Sequence, residues 1–98
     1  MSEQKPPNQP FEVMTGFWLD LKPHAERDAV FVVAQDLDLL DVGTTIAKDD
    51  VKQVTAWIQN GELARPTSVA METWDTQQAK VFRFLIVQPY VLIQEGGH

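Results

Sequence analysis

The run AVFVVAQ at residues 29–35 constrains this chain more than any other stretch. It carries no charge, and its β-branched and aromatic side chains suit a pleated strand. A half-exposed strand alternates polar with apolar residues, whereas this run has no polar residue before Gln35, so both of its faces must be covered. The sequence therefore predicts the central strand of a small sheet with other elements packed on both sides.

Two further β-rich runs, VFRFLIV at 81–87 and YVLIQ at 90–94, are divided by Gln88 and Pro89. Proline removes a ladder hydrogen bond, and no Asn-Gly or Asp-Gly is present to make a tight turn. The expectation is a kinked continuous strand with a bulge at Pro89.

The remaining apolar positions follow helical spacing. Phe11, Met14, Trp18 and Leu21, widened by Phe17, predict a helix over 11–21, with Pro10 at its first position and Pro23 ending it. PHAERD at 23–28 then reads as a polar connector. Leu39, Val42 and Ile46 predict a helix over 38–48, in which Gly43 costs about 1 kcal/mol relative to alanine and so implies close packing against a neighbouring backbone. Asp50 followed by Gln53 is a capping-box pattern opening a second helix, with Val51, Val54, Trp57 and Ile58 on one side and Gly61 at its stop. ELARP at 62–66 reads as extended, and Thr67 or Ser68 caps a helix to Gln77 anchored by Met71 and Trp74, with Glu72 and Asp75 outward. These elements give an α+β fold: a single small domain over 11–95 with three or four helices packed on a two- to four-stranded sheet, preceded by a flexible tail at 1–10.

At 98 residues there is room for one core, and so short a chain buries a modest share of its surface. Together with the edges of a small sheet, this points to a protein partner or a homodimer. Eight Lys and Arg against fourteen Asp and Glu, a net charge of −6, argue against a nucleic-acid surface, which needs cations to displace counterions. The absence of cysteine excludes disulfides and thiolate chemistry. The N-terminus lacks the apolar run of a signal peptide, and no segment approaches the roughly 18 apolar residues of a membrane span, so no membrane association and a cytoplasmic location are expected.

The polar segment DLDLLDVG at 36–43, followed by Asp49 and Asp50, is where metal or acid–base chemistry could sit. A calcium loop starting at Asp36 would have Leu40, Asp41 and Ala47 at its fifth, sixth and twelfth positions, and the template fails at all three. A magnesium site needs only one or two carboxylates, which keeps Asp36, Asp38 and Asp41 as candidates. The interleaved leucines favour a strand-to-helix junction instead, with Asp38 as N-cap. His24, beside Glu26 and Asp28, could act as a base, yet no nucleophile elbow or phosphate-cradling glycine loop accompanies it. Trp18, Trp57 and Trp74 fall on helical stripes and Tyr90 on a strand. Core packing accounts for them, and any that stays exposed becomes an interaction anchor.

PHAERDAVFVV, DLDLLDVGTTIAKDDVKQVTAWIQNGEL and FLIVQPYVLIQE together resemble an uncharacterised family of small bacterial proteins with members in photosynthetic bacteria. The resemblance spans about residues 17–95 and its family is a domain of unknown function, so it implies one bacterial domain and carries over no reaction, cofactor or catalytic residue. The leading functional expectation is a non-catalytic protein-interaction or regulatory module. The alternative is a small enzyme or metal-dependent ligand binder using residues 36–50, and a weaker third is an acidic mimic of nucleic acid.

Overall fold

Among the described residues the elements run β1 (Met14–Phe17), α1 (Trp18–Glu26), β2 (Val30–Val33), α2 (Leu39–Ala47), α3 (Val51–Gln59), β3 (Leu63–Ala64), α4 (Ser68–Asp75), β4 (Val81–Val87) and β5 (Tyr90–Glu95). The computed structural model describes residues 11–96, so the expected tail at 1–10 and the helix-opening role of Pro10 lie outside the described residues. The sheet runs β1-β4-β5-β2-β3, antiparallel except where β2 lies parallel to β5. Helices α1 and α4 cover one face and α2 and α3 the other, as the two core clusters show. The α+β architecture thus stands, with one strand more than the expected maximum.

Strand β2 is covered on both faces, Val30 and Val33 being 1% exposed each, but it is not central. That place belongs to β5, where four successive residues from Val91 to Gln94 are buried. Nor do 81–87 and 90–94 form one kinked strand. They are a hairpin in which Val87 pairs with Tyr90, and Gln88 and Pro89 form a two-residue turn with a cis peptide bond. Proline at the turn sits outside the ladder, where its missing N–H is not needed.

The first helix also differs from its expectation. Residues 14–17 pair with Phe84 to Val81 as edge strand β1, and Gly16 sits against the Phe84 ring, where a Cβ would lie 3.1 Å from Cε1. The carboxylate of Asp20 accepts the Phe17 main-chain N–H at 3.2 Å, which sets the helix start at Trp18. Pro23 lies inside α1 rather than ending it. It forfeits one hydrogen bond, to Leu19, and burial of Trp18 and Leu21 at 1% and 2% exposure offsets that loss.

The other helices follow local chemistry. Asp38 accepts the Leu40 N–H at 2.9 Å, Asp50 the Gln53 N–H at 3.2 Å and Thr67 the Ala70 N–H at 3.0 Å. Gly43 does face a close neighbour, but it is the Leu85 side chain of β4 rather than a backbone. Both sheet edges are short, four residues in β1 and two in β3. Because the Phe17 N–H is already taken, Thr15 is left as the β1 residue whose main-chain groups both face outward, which blunts that edge. No helix among the described residues is long and apolar enough to cross a membrane.

Candidate functional site

The four candidate polar residues do not come together. His24 lies near the end of α1 and Asp36 follows β2, so the two stand at opposite ends of a four-residue strand, about 13 Å of rise at roughly 3.3 Å per residue. His24 Nδ1 pairs instead with Arg27 Nη2 at 2.8 Å. Asp38 is the N-cap of α2, Asp41 lies in its first turn, and Asp36, Asp38 and Asp41 are all exposed. Among the described residues no group of three or more His, Asp or Glu is placed to hold a metal ion.

The loop carrying these carboxylates is nevertheless held firmly, by a residue that spacing arguments passed over. Gln94 is 0% exposed. Its Nε2 donates to the carbonyls of Ala34 and Leu37 at 2.7 and 2.8 Å, and its Oε1 accepts from Arg83 Nη2 at 2.6 Å. A buried amide with all these partners satisfies the loop's main-chain carbonyls where the chain leaves the sheet. A polar residue in the otherwise apolar run YVLIQ was the available signal.

Two of the four aromatic anchors prove to be core. Trp18 and Trp74 are 1% and 4% exposed and pack with Phe82, their ring centroids 5.0 Å apart. Burying two indoles on the α1–α4 face contributes more than leaving them for a partner, so neither can serve as a contact. Trp18 Nε1–H donates to Asp75 Oδ1 at 2.8 Å, and Lys22 Nζ reaches the same oxygen at 3.1 Å. Asp75, expected to point outward, thereby ties α4 to α1. The indole hydrogen bond first, and the Lys22 ammonium second, hold its carboxyl below the usual value. Trp57 is half-buried over β3.

Tyr90 alone among the four stays exposed, at 37%. It forms an edge-to-face pair with Phe31, centroids 5.5 Å apart, and the Arg65 guanidinium lies 5.3 Å above the Phe31 ring. Asp28 Oδ1 in turn sits 3.4 Å from Arg65 Nη1. The result is a layered surface of tyrosine, phenylalanine, arginine and aspartate on the side of the sheet that carries α2 and α3, where half-buried Phe31 packs against the core beneath those helices. Two shallow clefts also open on the other side. One, of about 240 Å³, lies between β2, β3 and α4 and includes Arg65, Thr67 and Glu95; the second, of about 280 Å³, lies between α1 and α4.

Comparison with known proteins agrees with this architecture. The NMR solution structure of PA1075 from Pseudomonas aeruginosa superimposes with a TM-score of 0.78 at 30% identity, covering 89% of this chain and 80% of that one. No curated protein matches. The family model described as "Protein of unknown function (DUF2288)" matches residues 11–95, which takes in β1 as well as the motifs already noted from residue 17 onward. With every described strand and helix inside that match, the chain belongs to the DUF2288 family.

Proposed function

We propose that this protein is a non-catalytic protein-interaction or regulatory module acting in the cytoplasm. The observation that carries the reading is the surface on which exposed Tyr90 and Arg65 flank the half-buried Phe31 ring. Tyrosine and arginine dominate the energetics of protein interfaces, and here each is already held by a neighbour. Side chains fixed before association lose less freedom on binding, so the same contacts yield more affinity. The occupant is another protein or a second copy of this chain.

The test is capture from cells of the native host with wild type and with Tyr90→Ser, both checked for equal urea midpoints, alongside light scattering of the pure protein at rising concentration. A specific partner or a dimer that the substitution weakens by about tenfold, the scale of a modest hot spot, supports the reading. Identical binding by wild type and variant, or a strict monomer that captures nothing, refutes it.

A further inference from the structure

The cleft between α1 and α4 has a composition that specifies its occupant more closely than its size suggests. Its floor is Ala25 and Met71, both half-buried and resting on the Trp18–Trp74 cluster. Its rim is Lys22 and Glu26 from α1 and Glu72 and Asp75 from α4. The spacing explains the arrangement: Lys22 and Glu26 are four residues apart, Ser68, Glu72 and Asp75 four and three apart, so each helix presents one face to the groove.

Three carboxylates thus face one ammonium, and that ammonium is already engaged by Asp75. Among the described residues neither Glu26 nor Glu72 has an ion-pair partner. The chain as a whole adds a net charge of −6, so the field at the groove repels phosphate-bearing ligands and draws in cations. The same charge opposes a second copy of this chain. A volume of about 280 Å³ falls just short of the roughly 300 Å³ where drug-sized pockets begin, yet it admits one aliphatic side chain. A methionine floor adapts to such a side chain, being unbranched and polarisable.

We infer that the α1–α4 groove docks a basic amphipathic segment of another protein, which inserts one leucine- or methionine-sized side chain over Ala25 and Met71 and sets Lys or Arg against Glu26, Glu72 and Asp75. This rests on the interaction-module reading but uses the face of the sheet opposite to Tyr90. The eight residues of α4 limit the contact to about 12 Å, some two turns of a bound helix.

The probe is an amidated helical peptide of Lys and Ala with one central Leu, titrated into the whole protein. Amide chemical shifts report where it binds, and emission of Trp18 and Trp74 beneath the floor reports occupancy. Saturable shifts confined to α1 and α4 are expected, weakened about tenfold in the Glu26→Lys, Glu72→Lys double variant and in a Leu→Ser peptide, and weakened by added salt. Reversing Asp36 and Asp41 to lysine on the other layer changes affinity less than about twofold. No binding, equal binding by a peptide with Glu in place of Lys, or equal weakening by the Asp36 and Asp41 reversal overturns the inference. Shifts that map to Tyr90 and Phe31 also overturn it, while leaving the interaction-module reading standing; loss of native-partner capture with Tyr90→Ser reports on that reading alone.

Discussion

Replacing Gln94 with leucine isolates what one buried amide does for this fold. Leucine is close to glutamine in volume, so packing beside Leu85 and Leu92 is largely kept and the polar atoms are what is lost. Two neutral bonds, to the Ala34 and Leu37 carbonyls, disappear together with one from the charged Arg83 guanidinium. Net values of about 0.5–1.5 kcal/mol for each neutral bond and about 1.5–3 kcal/mol for the charged one sum to roughly 2.5–6 kcal/mol. Ala34 and Leu37 are only half-buried and Arg83 is exposed, so water takes over part of the bonding and about 2–4 kcal/mol is expected to remain. Against a typical domain stability of about 5–15 kcal/mol this is a large fraction. In urea, with a slope of about 1–2 kcal/mol/M, the midpoint should fall by about 2 M at unchanged slope. The loss should also be local before it is global. Amide exchange should accelerate at Leu37 and Leu40, whose N–H groups bond Ala34 and Asp38 within the freed loop. A double-mutant cycle with Arg83→Met should return a coupling of about 1–2 kcal/mol for the Arg83–Gln94 pair. A destabilisation below about 0.5 kcal/mol with unchanged exchange at residues 34–40 would refute the assignment of this loop's anchoring to Gln94.

Two further outcomes follow from local geometry. Asp75 is more acidic in the folded protein than its ordinary value of 3.8, so its contribution is present above that value and is lost as pH falls through the lower folded one. The gap in urea midpoint between wild type and Asp75→Asn should therefore be constant near neutrality and close as pH falls below 3.8; a gap that persists to the lowest pH contradicts the linkage. Gly61 has φ +78° with no atom within 4 Å of a would-be Cβ, so Gly61→Ala probes backbone conformation without a clash. A cost of about 1 kcal/mol, read as a fall in Tm of about 4–8 °C, is expected, and no change would mean the C-terminus of α3 readjusts freely.

The parts of the fold legible in the sequence are those whose causes are near in sequence. Asp38, Asp50 and Thr67 cap their helices through N–H groups two or three residues ahead, and each was readable as a cap from residue type and position. The stripe Phe11, Met14, Trp18 and Leu21 was misleading because it runs across two elements: Trp18 and Leu21 do share a helix face three residues apart, whereas Met14 lies in strand β1 and Phe11 precedes it. Pairing of Met14 to Phe17 with β4 then decided the matter, and Asp20 moved the helix start to Trp18. Likewise, Gln88 and Pro89 were compatible with a bulge or a turn, and only the register of β4 on β5 distinguishes them. For the candidate surfaces, the aromatic residues were nameable but their exposure was not: Trp18 and Trp74 are sealed by each other and by Phe82, whereas Tyr90 is left out beside Phe31.

By itself, then, the sequence determined the α+β class, a covered strand within 29–35, the three capped helices and a net charge of −6. The tertiary structure decided the sheet order, the parallel pairing of β2 with β5, the burial of two tryptophans and the anchoring of the acidic loop. The physical division is one of range. A cap is completed within one helical turn, while the hydrogen bonds from Trp18 to Asp75 and from Gln94 to Leu37 and Ala34 join residues 57 to 60 positions apart, which nothing short of the folded sheet brings within reach.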